Sequence, residues 1–312
     1  MSSYLQNLTI RLAKGIGRLS EETRQKHTRY FLSAQREDGG FGGREGGSDL
    51  YYTTFAMRGL SILGELYGEV ADKVEAYLKP QLASDQTIVD FFSLFYAGNL
   101  LKVSSGKDIF VDADPLWPDQ VAEFLEKLKR DDGGYAKAPE GNAGSTYHTF
   151  LVMLVYELIQ RSIPDSDGIL RFLESRRDEE GGWHEIRVSK RPGTNPTAAA
   201  VASLLILDAV NEAEDPELVA TTLDFLVEMQ TDEGGLRANT RIPIADLLSS
   251  FTGGLTLVDL QAFDEIDIDA YRQFVAAMER SEGGFQAAAW DDAHDVEYSF
   301  YGLGCLALLE NH

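Results

Sequence analysis

A short turn motif recurs five times along this chain: acidic residues, then two glycines, then a large apolar residue. The copies read QREDGGFGG, KRDDGGYAK, RRDEEGGWHE, QTDEGGLRA and ERSEGGFQA. Their first glycines are spaced by 94, 48, 53 and 49 residues, in the order Gly39, Gly133, Gly181, Gly234, Gly283. The first interval is about twice the others, so it holds one further unit without the glycine pair, whose second helix lies in 87–103. Repeats of this length are typical of stacked supersecondary units, and we predict six.

Each unit has the pattern of a helical hairpin. An amphipathic helix precedes the acidic cluster, and the glycines provide the backbone angles common at a helix end. One large residue then follows and is expected to plug the turn against the core, as Phe41, Tyr135, Trp183, Leu236 and Phe285. After a polar loop comes a second helix, apolar on nearly all sides, which indicates burial. The expected fold is all-α: a closed α6–α6 barrel, or α/α toroid, forming a single domain over 1–312. An open superhelical solenoid is the alternative.

The net charge and the cysteine content limit which binding partners and which cellular compartment are expected. The chain of 312 residues carries 51 acidic and 28 basic side chains, a net charge of −23, so nucleic acid and anionic membranes are poor partners. Cys305 is the only cysteine, which excludes an intrachain disulfide. No apolar run approaches eighteen residues, so no membrane span is expected. The amino terminus has the period of an amphipathic helix instead of a secretion signal. We expect a cytoplasmic protein.

The glycine-pair turn before an apolar helix resembles the repeat of protein prenyltransferase β subunits and of squalene-hopene and related terpene cyclases. The resemblance runs from about residue 20 to 310, and GGFGGREGGSDLYYTTFAMRGLSILG carries it best. In length and repeat count the chain is most similar to the β subunit of type II (Rab) geranylgeranyltransferase. That resemblance implies a prenyl diphosphate or other isoprenoid ligand and an α-subunit-like partner.

The same resemblance predicts where a catalytic zinc would bind. In the transferases an Asp and a Cys open the fifth inner helix and a His opens the sixth. Asp246 matches the Asp, but Leu248 stands in place of the Cys and Tyr298 in place of the His. Asp246 with Asp295 or Glu297 would offer only oxygen ligands, which suit magnesium or calcium better than zinc. We therefore predict no family-type zinc and no other cofactor.

The diphosphate-binding positions of the transferases are also altered. Their His before the fourth inner helix corresponds to Gly193, and their Arg-Lys pair before the fifth corresponds only approximately to Arg237 and Arg241. Five cations nevertheless fall in these two consecutive loops: Arg187, Lys190, Arg191, Arg237 and Arg241. Clustered arginine and lysine side chains suit a diphosphate. Solvated loop charges paired with local acids are the alternative.

The remaining candidates lie near the starts of the inner helices. Asp246, Asp295 and Tyr298 are the candidate catalytic residues, although Asp246 and Asp295, like Asp49 and Asn195, also suit helix capping. Aromatic and histidine side chains are expected to contact an isoprenoid chain or pack in the core, with Tyr51, Tyr52, Phe91, Tyr147, His148, Phe251 and Tyr301 as the candidates.

Three functions remain open at this point. The first is an isoprenoid-binding relative of the prenyltransferase β subunits. The second is a non-catalytic toroid that serves as a binding or interaction module. The third is a small terpene-cyclase-like enzyme: the DxDD motif of those cyclases is absent, and a displaced acid, Asp246 or Asp295 with its pKa raised by burial, would replace it.

Overall fold

The computed structural model describes residues 3–83, 87–210 and 215–312, and the regular secondary structure of these ranges is almost entirely helical. They contain thirteen α-helices: α1 Tyr4–Ile16, α2 Glu21–Ser33, α3 Leu50–Leu63, α4 Gly68–Leu78, α5 Ile88–Ser105, α6 Trp117–Leu128, α7 Thr146–Leu158, α8 Ser166–Glu174, α9 Thr194–Ile206, α10 Pro216–Glu228, α11 Leu247–Asp259, α12 Ile268–Met278 and α13 Val296–Asn311. Short 3₁₀ helices occupy Lys79–Ala83 and Phe263–Glu265. In this part of the chain no helix is long and apolar enough to cross a membrane.

The helices form the six predicted hairpins, α2–α3 through α12–α13, preceded by the amphipathic helix α1. The unit without a glycine pair is α4–α5, and α5 covers the predicted 87–103 segment. One feature was not expected from the sequence. The polar loop before α13 forms an antiparallel pair of strands, β1 Gln286–Ala288 and β2 Asp291–His294.

Burial separates two kinds of helix. The second helix of each hairpin is buried over most of its surface, whereas the first helix buries one stripe; α2, for example, buries only His27 and Phe31. We call them inner and outer helices. This difference follows from composition, because a helix that is apolar on all sides is stable only when surrounded by protein.

The chain divides into two compact units. One comprises Met1–Trp117 with Val275–His312, and the other Pro118–Phe274. In the first unit α3 packs against α5 and α13, and α1 packs against α13 and α3, so the amino-terminal and carboxyl-terminal helices are direct neighbours. In the second unit the inner helices α7, α9 and α11 pack in chain order. That all 312 residues form a single domain stays a prediction.

The first glycine of each turn allows two backbones to touch. Each has φ between 89° and 98°, a conformation that L side chains resist. A Cβ on Gly181 would lie 2.0 Å from the carbonyl oxygen of Thr221 on α10, and one on Gly234 would lie 2.1 Å from that of Ala270 on α12. The other three glycines meet a carbonyl of α4, α8 or α2 at 2.2 to 2.6 Å. Any side chain there would force the next outer helix away.

The residue after the glycine pair plugs the turn, as predicted: all five plugs are 0 to 1% exposed. Their backbone N–H groups donate to a hydroxyl of the inner helix, as Trp183 does to Thr197 Oγ1 at 2.9 Å. The same hydrogen bond joins Phe41 to Thr53, Tyr135 to Thr149, Leu236 to Ser250 and Phe285 to Ser299. This hydrogen bond gives each buried backbone N–H an acceptor, which it would otherwise lack.

A buried histidine paired with a partly exposed glutamate holds the last turn against the first outer helix. His27 on α2 is fully buried and stacks on Phe285 at 4.9 Å between centroids. Its Nδ1 accepts the N–H of Gly284, so its Nε2 donates to Glu279 Oε1 at 3.0 Å. The hydrogen bond from His27, with a second contact from Lys26, lowers the pKa of Glu279 to about 2.

Because the first glycine of each turn lies against the backbone of the next outer helix, we predict that alanine substitution there costs more stability than at a glycine without such a contact. Gly64 also has positive φ, at 77°, but a Cβ there would meet nothing within 4 Å. Gly64→Ala should therefore cost only the left-handed conformation, about 1–2 kcal/mol of unfolding free energy. Gly234→Ala carries that cost and a backbone clash as well, and should lose about 4 kcal/mol or fail to fold. Urea unfolding measures both, and equal losses would contradict the argument.

The lowered pKa of Glu279 predicts an acid-dependent stability. A folded-state pKa below the usual 4.5 adds stability above that pH, and this stability disappears as the pH falls to about 2. Glu279→Gln should cost about 1 kcal/mol at pH 7, a modest value because the carboxylate is partly exposed. The difference from wild type should shrink between pH 5 and pH 2 in urea unfolding. The exposed Glu123→Gln is the control, and a pH-independent difference for Glu279→Gln would disprove the linkage.

Candidate functional site

In the second unit, two hydrogen bonds join the two loops that carry the predicted cations. Thr194 begins α9 and donates its N–H to Ala238 O at 3.0 Å and its hydroxyl to Arg237 O at 2.6 Å. The loop before α9 and the loop before α11 are therefore neighbours in space, although α9 and α10 separate them in the sequence.

Four of the five cations in these loops are available. Arg187, Lys190, Arg191 and Arg241 are exposed, and in the described part of the chain their side chains have no hydrogen bond or ion pair. Arg237 is different: it pairs with Glu228 Oε1 at 3.5 Å and donates to the Glu228 carbonyl at 3.2 Å. Arg237 therefore ties its loop to α10, whereas the other four are free to contact an anion.

Asp246 caps α11 and is poorly placed for zinc. Its Oδ1 accepts the N–H of Ser249 at 2.7 Å, and its Oδ2 accepts the Ser249 hydroxyl at 2.8 Å. Burial raises the pKa of this carboxyl. Leu248 has no atom that can bind a metal, and the described residues contain no group of three or more metal-binding side chains. The residues present do not fit the zinc of the prenyltransferases.

The remaining predicted residues of the second unit contact their neighbours within the protein. His148 contacts Ser145 Oγ through Nδ1 at 2.7 Å, and burial, helped by Lys137, lowers its pKa and so favours the neutral ring. Tyr147 is 39% exposed and packs edge-on against His148, whereas Phe251 is only 2% exposed, in the core. The expectation that Asn195 caps α9 is wrong. Gly193 holds that position, and Asn195 accepts the Thr252 hydroxyl at 2.6 Å.

In the first unit, Asp295 caps α13 and belongs to an ion pair. Its Oδ1 accepts the N–H groups of Glu297 and Tyr298, both at 3.0 Å. Its Oδ2 lies 3.4 Å from Arg44 Nε, and Arg44 also donates to Asp291 at 3.0 Å. The same guanidinium lies over the Tyr298 ring, 5.5 Å from its centroid. Asp295 is thus occupied on both oxygens.

Glu297 is a partly buried carboxyl that binds two tyrosines. Both Tyr51, at 2.6 Å, and Tyr301, at 3.2 Å, donate their hydroxyls to the same oxygen, Oε1. Burial raises its pKa, against the opposing effect of the two hydroxyls. Tyr52 packs edge-on against Tyr51. The sequence indicated Glu297 only as an oxygen ligand; its tyrosine partners come from α3 and α13, helices at opposite ends of the chain.

One charged residue was missed altogether. Arg58 is the only charged side chain of α3, and its guanidinium lies among Phe55, Tyr96 and Phe300. A lone arginine within an otherwise uncharged buried helix was the signal that could have found it. Of the other predicted aromatic contacts, Phe91 stacks on Phe95 with centroids 5.8 Å apart.

These hairpins define a class of repeat protein known from isoprenoid enzymes. The model of the prenyltransferase α-α toroid domain matches residues 14–89 and 112–312. The chain therefore belongs to the prenyltransferase α-α toroid domain family, and the predicted fold class is confirmed.

Individual relatives are distant. A protein farnesyltransferase subunit beta of Pisum sativum is 26% identical over 202 residues, which are 62% of this chain and 45% of the pea protein, so the match spans less than half of that relative. Among solved structures, Candida albicans protein geranylgeranyltransferase-I complexed with GGPP aligns with a TM-score of 0.70 and 15% identity, covering 91% of this chain and 90% of that one. A variant of the type II terpene cyclase MstE from Scytonema, in complex with geranylgeranyl dihydroxybenzoate, aligns at 0.64 and 12% identity, over 98% and 99%. At such identities the two structures support the fold alone.

Proposed function

We propose that this protein binds a prenyl diphosphate, as a member of its family most similar in role to the β subunit of type II geranylgeranyltransferase. The diphosphate would contact the loops before α9 and α11, and the isoprenoid chain would lie against aromatic side chains of the inner helices. An α-subunit-like protein is the proposed partner and the cytoplasm the proposed location.

One observation carries this proposal: four exposed cations that form no ion pair with any described residue lie on two loops joined by the hydrogen bonds of Thr194. In a chain of net charge −23, acids are abundant enough to pair with every cation. Arginine and lysine side chains that lie on joined loops and are free to form charge-assisted hydrogen bonds suit a diphosphate. The neighbouring Arg237 supports the same role indirectly, because its ties to Glu228 hold the second loop in place.

The proposed role does not include zinc-assisted transfer to a thiol. The Asp-x-Cys pair of the transferases is reduced here to Asp246, whose two oxygens already bind Ser249. A thiolate nucleophile would have no metal to stabilise it. The proposal is therefore binding of the diphosphate, with any transfer reaction left to groups other than a zinc ion.

Replacing two of the cations tests the proposal. Isothermal titration with geranylgeranyl diphosphate, farnesyl diphosphate and inorganic diphosphate should give the tightest binding for a prenyl diphosphate. Arg191→Ala with Arg241→Ala should weaken it by about a hundredfold, since each removes a charge-assisted contact. The matched control is Arg171→Ala with Lys127→Ala, two exposed cations on outer helices. No binding, or equal binding by both double variants, would contradict the proposal, and no binding would favour the non-catalytic module.

A second candidate function rests on Glu297. Its Oε1 already accepts two hydrogen bonds, so a proton would sit on Oε2, beside the aromatic rings of α3 and α13. A carboxylic acid kept neutral by burial can protonate an alkene, and the resulting carbocation is stabilised by aromatic faces until it loses a proton. Asp295 suits this role less, because both of its oxygens are occupied.

Product analysis tests this second candidate. Incubation with geranylgeranyl diphosphate or squalene, followed by mass spectrometry and chromatography, should give a cyclic isomer of unchanged mass. Glu297→Gln should remove that product, since an amide cannot donate the proton, while Glu123→Gln should retain it. An unchanged substrate in the wild-type reaction would exclude the cyclase for these two substrates, and a product that survives Glu297→Gln would exclude Glu297 as the acid.

A further inference from the structure

Arg58 lies in an aromatic enclosure that three inner helices build. Its guanidinium carbon is 3.9 Å from the ring centroid of Phe300 on α13, 4.9 Å from that of Phe55 on α3 and 5.5 Å from that of Tyr96 on α5. We call these three rings the Arg58 box. Aromatic faces attract a cation, so the box holds the guanidinium in place without forming a hydrogen bond to it.

The guanidinium has no acceptor within the described ranges. Arg58 makes no hydrogen bond there, no carboxylate oxygen lies within 4.0 Å of its nitrogens, and its buried Nε has no partner. Arg176 shows the contrast: it also lies over a ring, Phe172 at 4.5 Å, yet donates to Asp132 at 2.6 Å. Arg176 shares the unpartnered Nε, so the difference between the two lies in the terminal nitrogens, whose N–H donors have an acceptor in Arg176 and none in Arg58 within the described ranges.

Glu297 could serve as an ion-pair partner of Arg58, but its carboxylate binds other residues. The charge of Arg58 opposes the rise in the pKa of Glu297, but Glu297 Oε1 accepts the hydroxyls of Tyr51 and Tyr301 instead of a guanidinium N–H. The two tyrosines thus hold the acid, and Arg58 is left without the ion pair that a structural arginine in such a place would have.

We propose that Arg58 binds an oxyanion, a carboxylate or a phosphate group, carried by an otherwise apolar ligand. The guanidinium is planar, so its faces suit the rings while its edge is left to form two parallel hydrogen bonds to a pair of oxygens. The apolar part of the ligand then packs against the aromatic side chains around the box. A few polar groups that orient a ligand within an apolar site are the usual design of a small-molecule site. This subsite shares no residue with the proposed diphosphate loops, so either proposal can fail alone.

Straight-chain probes of equal length test the proposal: dodecanoate, dodecyl phosphate and dodecanol, each below its micelle concentration. Isothermal titration should show at least one of the two anions binding about tenfold or more tightly than the alcohol, because a two-point contact to a charged group is lost with dodecanol. Arg58→Met keeps the apolar stem and should abolish that preference while retaining the affinity for dodecanol. Arg58→Lys keeps the charge without the planar edge and should retain only part of the preference.

The control and the remaining outcomes separate binding from packing. Arg24→Met, on the outer helix α2 where Arg24 pairs with Glu21, should keep the wild-type preference. The anion that shows the larger preference identifies the ligand's headgroup. The proposal is overturned if the wild type binds all three probes equally or binds none. It is also overturned if Arg58→Met keeps the preference, or weakens all three probes by the same factor, as a packing residue would. If Arg58→Met fails to fold by circular dichroism, the ratio measured for Arg58→Lys decides by itself.

Discussion

The contact on which this structure depends is a glycine backbone touching the backbone of the next outer helix. Five turns repeat it, and at each a Cβ would lie within 2.6 Å of a carbonyl oxygen. Such contacts bring neighbouring hairpins close enough for the plug residue to fill the space beneath the turn. The N–H of the plug residue then donates to a hydroxyl of the inner helix. The contact and this hydrogen bond together fix the positions of the outer helix, the turn and the inner helix. In the last turn His27 and Glu279 add a partly buried hydrogen bond to the same contact.

The same architecture explains why the acids at the inner-helix starts are weak candidates for chemistry. A helix start has free N–H groups, and Asp49, Asp246 and Asp295 each accept one or two of them. A carboxylate engaged in this way is held against the backbone and has fewer free lone pairs, which opposes a role as an acid or as a metal ligand. Glu297 lies two residues further on, and its partners are tyrosine hydroxyls instead, which leaves one oxygen available.

Two kinds of feature do not serve the fold. The unpaired cations of the loops before α9 and α11 stabilise nothing that the described residues show, and neither does the edge of the guanidinium of Arg58. Like charges close together repel, and guanidinium N–H groups without an acceptor leave hydrogen bonds unmade, so these are the places where an anionic ligand is expected. They point to oxyanions on apolar molecules, and the family to which the chain belongs is consistent with that chemistry without deciding it.

The sequence by itself determined the repeat, the two kinds of helix, the plug residues and the family, because glycine spacing and helical periodicity are local patterns that survive without their context. It also predicted that the zinc ligands of the transferases are lost, because the leucine at position 248 can be read directly from the sequence. Only the tertiary structure decided which polar residues are already engaged in contacts with other parts of the protein. Gly193 instead of Asn195 is the N-cap residue of α9, Arg237 is tied to Glu228, and Tyr51 from α3 meets Glu297 from α13. Those outcomes depend on contacts between residues up to 246 positions apart, which no local pattern encodes.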